Sequence, residues 1–207
     1  MSKYKYRIYN GKSIKNILKY SVICLLILMF VAGLIIGSST QINNSELAEK
    51  ISVLTDSYIS VRAGQGVLTN FCNSLSINIM FNAINIFFAF SVIGYPFIII
   101  IPLLKGLGLG AVCGYLYSAH KMLGLGYSLI MLYPGAIVST LALIFAFNDS
   151  CEYSKNLYNK SIKNRGQYEK DETRVYLTRQ LVFAGICAVS AVIESLTNHL
   201  FSRFFEI

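Results

Sequence analysis

SVIGYPFIIIIPLLKGLGLGAVCGYLYS, residues 91–118, is the later part of an apolar tract that begins near Leu75 and ends near Ser118. A transmembrane helix needs about 20 apolar residues to cross a hydrocarbon core of roughly 30 Å, so a tract of this length must hold two. Gly94-Tyr95-Pro96 is the natural division, because proline lacks an amide hydrogen and pushes the residue before it out of the helical region. The pattern predicts helices over about 75–93 and 96–118, joined by a tight turn.

Further apolar runs cover about 20–36, 124–147 and 175–200, with an outer loop at 37–74 and an inner loop at 148–174. Hydrophobic residues make up 55% of the 207 positions and charged residues only 14%, against roughly 25% charged in soluble domains. The expectation is all-α: one integral membrane domain, residues 1–207, with five spanning helices. Lys3, Lys5, Arg7, Lys12, Lys15 and Lys19 precede the first run, which is long for a cleaved signal peptide and lacks a clear A-x-A cleavage pattern, so an uncleaved anchor is expected. Lys155, Lys160, Lys163, Arg165, Lys170 and Arg174 crowd the inner loop. Basic residues gather on the cytoplasmic side, so the N-terminus is expected inside and the C-terminus outside in a multi-pass plasma-membrane protein. Orientation also accounts for the net charge of +8, and no nucleic-acid partner is expected.

Within the spans, Gly106, Gly110 and Gly114 lie on one helix stripe, where missing side chains let another backbone come close. Lys105 stands beside that stripe, and a charge at membrane depth is costly enough to mark a functional residue with a partner. Asn78, Asn82 and Asn85 share one face of the preceding helix and should point into the bundle, since amides facing lipid would lack partners. Asn85 and Lys105 are equidistant from Tyr95, which makes Asn85 the expected partner of the ammonium. Snorkelling of Lys105 toward the headgroups and a role in a solute path remain open. Pro134-Gly135 in the fourth run marks either a kink satisfied by neighbouring helices or a break that exposes backbone.

In the outer loop, Leu47, Ile51, Leu54 and Tyr58 fall at helical spacing between charged residues. That amphipathic pattern is expected either to rest on the bundle or to dock an extracytoplasmic protein. Two histidines and five scattered cysteines provide no metal-ligand spacing or redox pair. No cofactor, no metal and no catalysis are expected.

Three places, Gly33-Leu-Ile-Ile-Gly37, Pro96 through Lys105-Gly106-x-x-x-Gly110, and Tyr133-Pro134-Gly135, resemble the stage II sporulation protein M family of bacterial membrane proteins. The resemblance covers most of the chain in order. Where the family commonly has Asn-Gly this chain has Lys105-Gly106, and where it often has His-Gly followed by Glu this chain has Pro134-Gly135 and Val138. The resemblance implies a non-enzymatic anchor in the bilayer that holds cell-wall hydrolases and similar extracytoplasmic partners during engulfment, with self-association left open. A transporter or permease-like subunit is the other reading, motivated by Lys105, the asparagine stripe and the Pro134-Gly135 pair.

Overall fold

The chain reverses between Phe90 and Gly94, and the rest of the bundle can be built from that turn. In the computed structural model, which describes residues 2–43, 66–161 and 170–201, Ser91 N donates to Phe88 O (3.0 Å) and Gly94 N to Ser91 O (3.1 Å). A Cβ at Gly94 would run into the Phe88 carbonyl, so only glycine fits where the two helix ends meet. Gly94 O then accepts from Ile98 N at 3.0 Å and opens the next helix. Pro96 falls in its first turn, where an amide hydrogen has no intrahelical acceptor to lose.

Five helices follow the expected order: α1 (Ser2–Asn43), α2 (Val67–Ala89), α3 (Tyr95–Tyr127), α4 (Tyr133–Ser161) and α5 (Lys170–Phe201). Each contains a segment long and apolar enough to cross a membrane: Tyr20–Thr40, Val67–Ala89, Tyr95–Ala119, Tyr133–Ser161 and Asp171–Leu200. There is no strand among the described residues. The fold is an all-α membrane bundle.

Several boundaries differ from those expected, for identifiable reasons. The first helix runs past Ile36 because the hydroxyls of Ser38, Ser39 and Thr40 bond back to carbonyls of their own helix, as in Ser39 Oγ to Ile35 O at 2.8 Å. Such hydroxyls look like loop residues in a hydropathy profile yet satisfy themselves within a helix. The second helix begins at Val67 rather than 75, since Asn70 and Ser74 lie buried on the same face as Asn78. Of the expected inner segment 148–174, residues 148–161 continue α4 and residues 170–174 form the start of α5. The segment containing Leu47, Ile51, Leu54 and Tyr58 lies outside the described residues.

Inside α3 the path turns at Lys121, whose φ of 49° and ψ of −123° kink the helix before its end at Tyr127. A π-helical turn, Ser128–Leu132, leads directly into Tyr133-Pro134-Gly135. Proline clashes with the carbonyl four residues before it, and widening the preceding turn accommodates that clash. The chain stays helical on both sides, so the Pro134 site is a local widening and not an unwound break.

Contacts fix the relative directions. Phe88 stacks on Phe97 across the α2–α3 turn at 5.1 Å, Gln180 reaches Ala146 O on α4 at 3.2 Å, and Ser190 reaches Gly135 O at 2.7 Å. The α2–α3 and α4–α5 pairs are therefore antiparallel. In contrast, α1 packs chiefly on α3 and runs parallel to it. A Cβ at Gly33 would lie 3.1 Å from Gly106 Cα and 3.0 Å from Leu107 N, and one at Gly37 would lie 2.9 Å from Ala111 N. From the other side, a Cβ at Gly106 would lie 3.2 Å from Gly33 Cα, and one at Gly110 would lie 3.0 Å from Leu34 Cα. Each of the four would also overlap a carbonyl oxygen of the opposite helix. Two Gly-x-x-x-Gly pairs thus face each other with backbone on backbone.

Leu26, Ile98, Ile101, Leu143 and Phe147 form the apolar centre, while Leu28, Ile35, Phe87 and Leu181 stay exposed on the outer surface. With lipid around it, that exposed surface needs no other cover. Charged side chains collect at the end of the bundle near the 90–94 turn, where Lys155 Nζ sits 4.1 Å above the Tyr95 ring and Arg179 pairs with Asp149 at 3.4 Å.

Candidate functional site in the bundle interior

Polar side chains line the inside of α2 from end to end. Asn70, Ser74, Asn78, Asn82 and Asn85 are all buried, at intervals of four, four, four and three residues. This spacing keeps them on one face through more than four turns.

Lys105 on α3 meets this row. Its side chain is buried, with 7% of its surface exposed, and its ammonium donates to Asn78 Oδ1 at 3.0 Å and to Ser139 Oγ on α4 at 3.2 Å. Asn78 in turn donates from Nδ2 to Ser74 O at 3.0 Å, and Ser139 donates to Ala136 O at 3.1 Å. The ammonium can only donate, so the amide must present its oxygen to Lys105 and its nitrogen to the Ser74 carbonyl.

Asn78, then, and not Asn85, partners the lysine. The expected pairing treated Tyr95 as the midpoint of the hairpin, but α2 ends at Ala89 and the five-residue turn moves the midpoint toward α2. Asn78 lies eleven residues before Ala89 and Lys105 ten after Tyr95, which brings them to one level. Nor does Lys105 snorkel: its ammonium is spent on two neutral acceptors inside the bundle. Asn85 is fully buried, and neither of its side-chain polar atoms has a hydrogen-bond partner among the described residues. Asn82 makes only a long 3.5 Å contact to Gln180 O.

A second polar group ties α4 to α5. Ser150 and Tyr176 hydroxyls lie 2.9 Å apart, and Gln180 Nε2 bridges Ala146 O and Ser150 Oγ. Sequence reading missed Gln180, Ser139 and Ser190. A lone polar residue in an apolar run does not reveal which neighbour its helix face will meet.

Gly106 and Gly110 face α1, as the glycine stripe implied, and Gly114 is buried farther along α3. Gly135 is pressed against α5: a Cβ there would lie 2.6 Å from Glu194 Cβ and 3.2 Å from Ser190 O. Among the described residues, no three His, Cys, Asp or Glu side chains are grouped as they would be around a metal ion.

Residues 21–197 match the family model of stage II sporulation protein M. The chain belongs to this family. No curated protein and no solved structure matches the chain. Family membership and the five spanning helices make it a sporulation-family membrane protein. Within this member of the stage II sporulation protein M family, each of the three resembling stretches includes a point where helices touch closely. Gly33 and Gly37 meet Gly106 and Gly110, and Gly135 meets Glu194 and Ser190. These stretches therefore hold the bundle together, whatever else they do.

Proposed function

We propose that this protein is a non-enzymatic anchor in the cell membrane that holds extracytoplasmic partners, a cell-wall hydrolase complex among them, during sporulation. The backbone-on-backbone contact between α1 and α3 carries the reading. It fixes α1, and α2 is fixed in turn by Lys105 and Gln180, so the ends at Asn43 and Val67 leave a stiff bundle on one face. Residues 44–65, which include Leu47, Ile51, Leu54 and Tyr58, connect those two ends. The opposite end carries Lys155, Lys160, Arg174 and Arg179 and the basic N-terminal segment, which supports a cytoplasmic assignment for that end. Helical continuity through Pro134 favours a fixed anchor over a transporter, which would use unwound segments around its site.

Scrambling residues 44–58 tests the proposal. Cell-wall hydrolases should co-isolate with the wild-type protein from sporulating cells, and the scrambled variant should lose them while its thermal stability stays the same. Equal recovery with both proteins would rule out the loop as the docking element. Solute flux in proteoliposomes that disappears on replacing Lys105 would instead identify a transporter.

A further inference from the structure

A cleft of about 430 Å³ opens between the 90–94 turn and α4, with Ile93, Tyr95 and Pro96 on one side and Lys155, Tyr158 and Asn159 on the other. Ser154 Oγ donates to Ser91 O at 3.0 Å, which ties α4 to the turn and fixes the width of the cleft. Lys155 Nζ lies 4.1 Å from the Tyr95 ring centroid, and no carboxylate pairs with it among the described residues. A ring face attracts an ammonium without neutralising it, so the charge is held in place with N–H donors to spare. The other side of α4 is the reverse. There Asp149, Glu152, Asp171 and Glu172 line a separate cleft toward α5, in which Arg179 pairs with Asp149 and Lys160 with Glu172. No carboxylate lines the cleft that holds Lys155. Tyr95 opens the α3 span, so the ammonium above its ring stands where hydrocarbon gives way to headgroups.

We propose that this cleft seats one phospholipid of net negative charge, with its phosphate on Lys155 and its chains along the apolar surface of Ile93 and Phe97. Both of those side chains are exposed on the outside of the bundle, where acyl chains run. Charge selects the class of lipid. A phosphate oxyanion takes the ammonium hydrogens that the Tyr95 ring leaves open, and the Asn159 amide adds a neutral donor on the same wall. A zwitterionic lipid would bring an ammonium of its own, and the lining has no carboxylate to receive it. Free phosphate offers the same oxyanion but nothing to cover Ile93 and Pro96, so the lipid is the occupant that satisfies both parts of the cleft. The site goes beyond the anchor reading: it depends neither on which leaflet this end of the bundle meets nor on docking by residues 44–65.

The test uses the full-length protein in nanodiscs of mixed phosphatidylglycerol and phosphatidylcholine, with the lipid that stays bound after release identified by native mass spectrometry. Wild-type protein should retain phosphatidylglycerol over phosphatidylcholine by about fivefold or more, the effect of one lysine near an anionic surface. Lys155→Gln should remove that preference. Arg174→Gln, which deletes the same charge from α5 at the same end of the bundle, should leave it intact. Lys155 and Arg174 are both exposed, so the two variants should unfold at the wild-type midpoint and differ only in lipid retention. Inorganic phosphate should not displace the retained lipid; displacement would assign the cleft to a soluble anion and overturn the lipid. No preference overturns the proposal, as does a preference that Lys155→Gln leaves unchanged. Equal loss with Lys155→Gln and Arg174→Gln overturns it too, because diffuse attraction to a basic surface would give that result.

Discussion

Gly106 and Gly108 are two residues apart on α3 and should respond in opposite ways to the same added methyl group. At Gly106 the methyl would overlap the Phe30 carbonyl oxygen, with Leu34 N at 3.1 Å and Gly33 Cα at 3.2 Å. All three are backbone atoms and cannot rotate aside, so α1 would have to withdraw. At Gly108 nothing lies within 4 Å of the added atom. Both substitutions gain the same helix propensity, up to about 1 kcal/mol for alanine over glycine. The difference between them therefore isolates the overlap. Overpacking of this kind costs about 1–3 kcal/mol, so Gly106→Ala should be less stable than Gly108→Ala by that amount. For a chain of this size, at about 2–4 °C per kcal/mol, the midpoints should differ by about 2–12 °C. The buried thiols of Cys151 and Cys187 supply a natural readout, since a maleimide dye reaches them only as the bundle opens. Adding Gly33→Ala to Gly106→Ala should cost less than the sum of the two, because both act on one crossing. Equal midpoints for Gly106→Ala and Gly108→Ala would refute the close α1–α3 contact.

Asn78→Ala should cost about 1.5–3 kcal/mol, the range for a hydrogen bond to a charged group. Asn85→Ala should change stability by less than about 1 kcal/mol, because its amide is buried without a partner and removing it relieves desolvation. Equal losses in chemical denaturation would contradict the Lys105–Asn78 pairing. Lys121→Gly should raise the unfolding midpoint, since a positive φ stores about 1–3 kcal/mol in a residue with a side chain. Lys121→Ala should not, and the two variants can be compared by the same thiol assay.

Five helices were legible because apolar length alone specifies a membrane span. Their ends were not, because hydropathy scores Ser38 to Thr40 and Asn70 to Ser74 as loop, whereas a helix absorbs such residues when their polar atoms bond its own carbonyls or face the bundle interior. The four-residue period from Asn70 through Asn82 was present all along, and following it upstream would have placed the start of α2 correctly. Lys105 was marked by its charge and Asn78 by its face, but their pairing depended on the length of a turn that hydropathy does not measure. Ser139 gave no signal, since one hydroxyl in an apolar run says nothing about the helix it will meet. Gly33, Gly37, Gly106 and Gly110 were visible as motifs. That each pair answers the other emerged only from the parallel docking of helices not adjacent in sequence.

That docking sets an order of assembly. The glycine face of α1 has its counterpart in Leu103 to Ala111, about 70 residues farther along the chain. At synthesis rates of about 5–20 residues per second, roughly 4–14 s pass between the two segments. During that interval α1 sits in the bilayer with a bare groove that later becomes its tightest seam. Whatever occupies the groove first, a lipid chain or an insertion factor, must leave before α3 can dock, so completion of the bundle waits on that exchange.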